Sequence, residues 1–327
     1  MSCILRAFGR LNFARRCVGF IIMTSSSNPV LIVGSVALDS VETPSGRVDN
    51  ALGGAATYAS TATSLFAPVR LVGVVGEDFP TEHLDFLRGR NIDLSGLQIV
   101  QGGKTFRWKG DYLGDLNQAE THDTQLGVFE HFEPRLPGDY KHTPWVFLAN
   151  IHPELQLQTL NSVENPRLVV CDTMNLWINL ARESVLKVLS RADVAVMNDG
   201  EARMLLEEDN LIRAGRELLT RGPRVVIIKK GEHGALMFSG DDIFSAPSFP
   251  VEEVVDPTGA GDSFAGAFIG YLAQQNDDSL EAMRRAVVYG AGVASVTVSD
   301  FSLGALAKLE REEVERRFQT VQKMAAF

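Results

Sequence analysis

Six short apolar runs, separated by stretches with helical spacing, constrain this chain more than any other feature. VLIVGSV (30–36), VRLVGVVG (69–76), WVFLANI (145–151), RLVVCDT (167–173), VAVMN (194–198) and RVVIIKKG (224–231) are nearly continuous in apolar residues. That is the pattern of strands buried on both faces. Between them, GGAATYASTATSLF (53–66), EHLDFLRGR (82–90) and segments around 154–163, 181–190 and 201–220 place apolar residues at helical spacing. Buried strands alternating with helices pair in parallel and are covered by their crossovers, so the order predicts an α/β sandwich. A hairpin-like ALMFSGDDIFSAP (235–247) follows, then two apolar helices at about 260–275 and 279–298 and a charged one, LEREEVERRFQTVQKM (309–324).

One interval breaks this rhythm. From about Ile92 to Pro134, LQIVQGG, KTFRWKGDYLG and TQLGVFEHF alternate apolar or aromatic residues with polar ones between glycines. A half-exposed antiparallel excursion reads this way, and an excursion of this length usually carries function, so 92–134 is expected to be a small β lid inserted in the sandwich. Phe106, Trp108 and Tyr112 within it either close over a ligand or pack into the half-buried sheet.

Charge narrows the partners. The formal net charge is −10, and residues 1–28 hide a greater imbalance because they carry Arg6, Arg10, Arg15 and Arg16 and no acid. The rest holds 27 basic against 41 acidic residues. So acidic a body lacks the basic patches that neutralise nucleic-acid phosphates, and any phosphate site must be local and built largely from backbone amides. Residues 1–28 are expected to be a disordered extension or an over-extended start with Met23 as initiator, although an Arg-rich, acid-free segment also suits a transit peptide. The remainder, 29–327, is expected to be one domain. No apolar run approaches the length of a membrane span. The cysteines, Cys3, Cys17 and Cys171, are odd in number and imply no disulfide framework, which fits a reducing cytoplasm.

The chemistry concentrates in VVDPTGAGDSFAGAF (254–268). Pro257 and Gly259 break the strand, Ala260 and Gly261 let backbone approach a ligand, and a helix follows with Phe264, Phe268 and Leu272 on one face. The first-turn amides of such a helix attract anions. Asp262 stands in that turn. An acid there can simply complement the helix dipole. A backbone laid open by small residues suggests more: a carboxylate ionised at neutral pH that takes a proton from an attacking hydroxyl while the amides hold a transferring phosphoryl group.

DPTGAGDSFAGAF resembles the second signature of the PfkB carbohydrate kinases, the ribokinase-like family, and the similarity runs from about Val30 to about Ser302. The resemblance implies a ribokinase-like three-layer α/β/α sandwich with a small inserted β lid, ATP with Mg2+ as phosphate donor, and a sugar or nucleoside acceptor. It makes Asp262 the catalytic base and Gly259, Ala260 and Gly261 the anion hole, with Thr258 at the nucleotide. Asn198 and Glu201 match the family's N-x-x-E motif, which organises Mg2+ and phosphates, although an Asn before a helix is commonly a cap. Lys230, Gly231 and Gly234 resemble its nucleotide loop. Gly290, in GAGVAS (290–295), resembles its adenine-side segment, and small residues there serve helix packing equally well.

On the acceptor side, Asp39 matches the aspartate that binds acceptor hydroxyls, and Gly53 and Gly54 match the double glycine against which the acceptor rests. Two departures stand out. GGAATY (53–58) carries no side-chain amide where many sugar kinases have one, and DTMNLW (172–177) lacks the arginine of acid-sugar kinases. The resemblance also implies a possible monovalent cation (K+) against the 256–261 loop and a homodimer through the lid.

Other readings fail on the residues. QIVQGGKT (98–105) lacks the leading glycine of a Walker A loop and precedes a strand, and VGSVALDS lacks G-x-G-x-x-G. The six histidines show no metal spacing. The sequence therefore predicts an ATP-dependent kinase acting on a hydroxymethyl group of a sugar, with a nucleoside kinase of the same family, or a non-catalytic kinase-like regulatory protein, as alternatives.

Overall fold

A computed structural model describes residues 28–114, 116–117 and 119–326. Apart from Asn28, the expectation for residues 1–28 lies outside the described residues. The chain runs β1 (Val30–Val33), β2 (Ala37–Thr43), β3 (Gly46–Gly53), α1 (Ala55–Thr63), β4 (Val69–Gly76), α2 (Thr81–Gly89), β5 (Ile92–Val100), β6 (Arg107–Asp111) and β7 (Glu120–Gln125). It continues through β8 (Trp145–Leu148), α3 (Pro153–Ser162), β9 (Leu168–Asp172), α4 (Asn175–Leu180), α5 (Arg182–Leu189), β10 (Val194–Asn198), α6 (Asp199–Leu206) and α7 (Leu211–Leu219). The last elements are β11 (Val225–Lys229), β12 (Ala235–Ser239), β13 (Asp242–Ala246), α8 (Ala260–Gln275), α9 (Leu280–Thr297) and α10 (Arg311–Met324).

Nine strands form the main sheet in the order β13-β12-β11-β10-β9-β8-β1-β4-β5, parallel except for the hairpin at the β13 edge. Alternation along each strand splits the core between its two faces: Val30 and Ile32 join α1, α8, α9 and α10, whereas Leu31 and Val33 join α3, α5, α6 and α7. The sandwich is therefore three-layered, with the ribokinase-like arrangement. Strand order reverses beside β1, so a cleft opens at the carboxyl ends of the strands. Among the described residues no helix is long and apolar enough to cross a membrane.

The second sheet differs from the expected insert. Ile92–Val100 is the edge strand β5, paired in parallel with β4, and the small sheet, ordered β3-β2-β6-β7, takes two of its strands from 37–53. A half-exposed edge strand and a lid strand have the same alternation, so periodicity could not separate them. The run 30–36 is likewise shorter as a strand: it stops at Val33, and the chain turns through Gly34-Ser35-Val36 into the second sheet. The helix expected over 201–220 is two, because Glu207 turns left-handed (φ 54°) and Asn210 caps α7 by accepting the N–H groups of Ile212 and Arg213.

Candidate active site

The carboxyl ends of β1, β9, β10 and β11 bring Gly34, Asp172, Asn198 and Lys229 to one rim, and the 255–259 loop leads into α8 across it. Gly259 begins α8 in the left-handed region (φ 74°), and a Cβ there would stand 2.3 Å from the ring of Tyr58. Nothing larger than glycine fits. The Ala260 N–H donates to the Pro257 carbonyl at 3.2 Å, so of the three residues expected to form an anion hole, one amide is already engaged. Asp256 is buried and ties the loop together, its oxygens accepting the N–H groups of Thr258 (2.9 Å) and Ser302 (3.1 Å).

Asp262 sits in the first turn of α8, half-buried, among unexpected neighbours. Burial, reinforced by repulsion from Asp172 and opposed by Lys229, raises its pKa to about 7. The expectation of a carboxylate fully ionised at neutral pH is therefore corrected: without ligand it titrates there. Glu201 is raised as well, by burial and by Asp172. Its carboxylate accepts the Asn198 N–H at 2.8 Å, while the Asn198 side chain accepts the Glu201 N–H at 2.7 Å. This is a full capping box. The helix-cap reading of N-x-x-E is thus realised in a residue that also faces the acidic cluster.

Lys229 is the cation of that cluster, and sequence reasoning missed it. Its Nζ lies 3.2 Å from Asp172 Oδ2 and 2.8 Å from the point where a Cβ on Gly261 would stand. Burial alone would lower its pKa, but Asp172, Glu201 and Asp262 raise it instead. The available signal was its place as the last residue of a buried parallel strand, where ligands meet α/β sheets. Lys230, chosen for its neighbouring glycine, instead closes a tight turn: its N–H donates to the Gly234 carbonyl at 2.8 Å. Gly231 (φ 54°) and Gly234 (φ 81°) supply that turn's backbone, and a Cβ on Gly234 would stand 2.0 Å from the Ala246 carbonyl. Gly290 is buried where α9 packs on α8, 2.9 Å between its Cβ position and the Phe264 carbonyl. The structure does not bring Lys230 or Gly290 into the carboxylate cluster.

The other end of the cleft is made by the second sheet. Asp39 is 6% exposed and accepts the Gly54 N–H at 3.3 Å. Burial raises its pKa to about 7, with Asp256 and Asp262 adding to the shift. A Cβ on Gly53 would stand 1.9 Å from Asp39 Oδ2, and Gly54 (φ 91°) would press a Cβ on the Ser35 carbonyl at 2.5 Å. Both glycines make room for this carboxylate and its turn.

Trp108 is the register partner of Asp39 across β2 and β6, so the two side chains share one face. Farther along that face, the sheet is pinned to the 255–258 loop by Thr43 Oγ1, which donates to the Val255 carbonyl at 2.7 Å, and by Tyr112, whose hydroxyl is 3.4 Å from Thr258 Oγ1. The three lid aromatics therefore part company. Phe106 stacks on Phe129 at 5.2 Å, Tyr112 reaches the loop before Asp262, and Trp108 remains half-exposed beside Asp39, its indole N–H donated to Thr121 Oγ1 at 3.1 Å.

A profile of the pfkB family carbohydrate kinase matches residues 154–308. Over 249 residues the chain is 33% identical to a cytidine kinase of Thermococcus kodakarensis, spanning 74% of this chain and 88% of that one. It is 24% identical over 290 residues to a nucleoside kinase of Methanocaldococcus jannaschii, spanning 84% and 92%. Among solved structures, the M. jannaschii nucleoside kinase, an archaeal member of the ribokinase family, superposes with a TM-score of 0.71 at 22% identity, covering 90% of this chain and 98% of that chain. An E. coli protein assigned as ribokinase II, in complex with ATP and Mg2+, gives 0.74 at 20% identity, covering 90% and 99%. The solved structures give the fold, and the 33% sequence match gives the lineage. The chain belongs to the PfkB family of carbohydrate kinases, phosphotransferases with an alcohol group as acceptor.

Proposed function

We propose that this protein is an ATP-dependent nucleoside kinase that phosphorylates the hydroxymethyl group of the nucleoside's pentose. The observation that carries the reading is the pairing of Asp39 with Trp108 on one face of the second sheet. A buried carboxylate suits the vicinal hydroxyls of a pentose, and a half-exposed indole beside it suits a flat base, since base–aromatic stacking tolerates any base. The similarity to a cytidine kinase and a nucleoside kinase supports the same choice. A free sugar, the first expectation from sequence, has no flat base to stack on the half-exposed indole.

In this reading the acceptor hydroxyl attacks the γ-phosphorus of ATP. The new O–P bond forms as the bond to the β,γ-bridging oxygen breaks, ADP leaves, and the hydroxyl proton passes to Asp262. Asp262 is suited to this because its pKa of about 7 lets it accept and release a proton near neutrality. The open amides at the start of α8 face the transferring group. The second sheet, pinned at Val255 and Thr258, shields the reaction from water.

Among the described residues no three His, Cys, Asp or Glu side chains are grouped to hold a metal. Magnesium bound mainly by phosphates and water needs only one or two carboxylates, and Glu201, fixed by its capping box, fits that part. When bound, the ion would supply positive charge that offsets the charge of the phosphates. A potassium ion against the 256–261 loop and a homodimer through the second sheet belong to the same reading. Rates in potassium against a large organic cation, and the mass in solution by light scattering, test them.

The decisive experiment is an ADP-release assay of purified protein against nucleosides, free pentoses, hexoses and sugar phosphates. Turnover on nucleosides at a kcat/KM at least tenfold above ribose is expected. Preference for a free sugar overturns the nucleoside reading, and ATP binding without transfer to any acceptor would leave the non-catalytic alternative.

A further inference from the structure

We infer that Tyr58 selects a ribose over a deoxyribose acceptor, its phenolic hydroxyl donating to a ribose hydroxyl that in turn donates to Asp39. The inference rests on the nucleoside reading above and deepens it by naming which pentose the site takes.

Tyr58 closes GGAATY (53–58), the segment that carries no side-chain amide where many sugar kinases have one. Gly54 caps α1: its N–H is donated to Asp39 Oδ2 at 3.3 Å, and its carbonyl accepts the Tyr58 N–H at 3.2 Å. Tyr58 therefore stands about one helical turn from the carboxylate. Its ring packs under the turn at the other end of the cleft, where a Cβ on Gly259 would come within 2.3 Å of it. Of the charged groups that act on its hydroxyl, Asp39 acts most strongly, ahead of Asp256 and Asp262. One side chain thus braces the phosphoryl end with its ring and brings its polar tip to the acceptor end.

That tip has no use inside the protein. Tyr58 is 2% exposed, and among the described residues its hydroxyl makes no hydrogen bond. The hydroxyls of Thr57, Ser60 and Ser263 are also unpartnered, but they are sealed in around the contact of α1 with α8, and the Tyr58 oxygen is not among the sealed atoms. Burying a phenol without a partner costs stability, and phenylalanine would fill the same space. The groups nearby are committed elsewhere: Asp256 accepts the Thr258 and Ser302 amides, and the Tyr112 hydroxyl lies against Thr258 Oγ1. Burial, reinforced by Asp39, holds the phenol well above its ordinary pKa, so it keeps its proton and donates. A carboxylate only accepts, whereas a ribose hydroxyl does both, so the two side chains complement each other at one oxygen. A deoxyribose carbon there would leave both buried groups unpaired, which is how a site rejects an analogue that lacks a hydroxyl.

The test compares wild type and Tyr58→Phe at pH 8, where Asp39 is ionised, on cytidine, 2′-deoxycytidine and 3′-deoxycytidine and on the same three forms of adenosine. On the ribonucleosides Tyr58→Phe should lower kcat/KM about tenfold, as loss of one hydrogen bond does. KM should carry most of the change, because the contact is made before transfer begins. On the deoxynucleoside that lacks the contacted hydroxyl, the same substitution should change kcat/KM less than threefold, and the form that behaves so identifies the oxygen. The Tm of Tyr58→Phe should be no lower than that of wild type, since no partner within the protein is lost. Equal losses on all three forms, or no loss on the ribonucleosides, would overturn the inference while leaving the nucleoside reading in place. If wild type phosphorylates none of the six, the nucleoside reading fails and the inference falls with it.

Discussion

The two ends of the cleft are built in different ways. The phosphoryl end is mostly one contiguous segment: Asp256, Thr258, Gly259, Gly261 and Asp262 lie within seven residues of each other, and backbone geometry fixes them. The acceptor end is assembled from strands far apart in the chain, with Asp39 on β2, Gly53 ending β3 and Gly54 following it, and Trp108 and Tyr112 on or just beyond β6. One end is a turn that any family member can reuse, and the other is a surface of side chains that register alone brings together. This division fits a family in which one chemistry serves many acceptors, because strand faces change substrate without disturbing the turn.

The largest expected effect breaks the phosphoryl end alone. Asp262→Asn should lower kcat about 10²- to 10⁴-fold, the range for loss of a general base, with KM for the acceptor changed little. A rate near wild type would remove Asp262 from the mechanism. The acceptor end should respond differently. At pH 8, above the value of about 7 to which burial raises Asp39, Asp39→Asn weakens hydrogen bonds made by a charged group, each about 1.5–3 kcal/mol, so KM for the nucleoside should rise roughly 10- to 100-fold with a smaller change in kcat. If kcat falls and KM stays constant, the two ends are not separate in function.

The smallest effect is in pH dependence. Asp262 must be ionised to accept a proton, and burial with Asp172 beside it sets its pKa at about 7. The acidic limb of kcat/KM is therefore expected near pH 7, whereas an ordinary carboxylate would place it near 4. The linkage to stability has the opposite sign. A carboxyl group whose pKa is raised by folding costs stability as pH rises from its unfolded value toward its folded value. Asp262→Asn should therefore have a higher Tm than wild type at pH 8, and the difference should shrink as pH falls through 7 toward 4. A Tm difference that does not change with pH would mean that Asp262 is not strained by its neighbours.

Much of the phosphoryl end was legible because its information is local. Small residues before an acid at a helix start specify a turn, and the turn specifies where Asp262 goes; the strand expected before it is a loop, since among the described residues no strand lies between Ala246 and α8. The parallel sandwich was legible for a similar reason, since continuous apolar runs alternating with segments of period 3.6 leave few ways to bury every face. Boundaries were less so: the 201–220 segment keeps helical spacing through Glu207, where the backbone turns left-handed.

Lys229 and Trp108 mark what only the tertiary structure decided. At the end of β11 two adjacent lysines have equal claims in sequence, and strand pleat sends Lys229 toward Asp172 while Lys230 enters the hairpin turn. Three aromatics at 106, 108 and 112 look alike in a half-exposed segment, and the parallel pairing of β2 with β6 sets Trp108 beside Asp39. The sequence by itself determined the sandwich, the glycine turn and the place of Asp262 within it, because each depends on neighbours within a few residues. Which lysine faces Asp172 and which aromatic lies beside Asp39 depend on strand register between distant segments, and a shift of one residue would send each side chain to the opposite face.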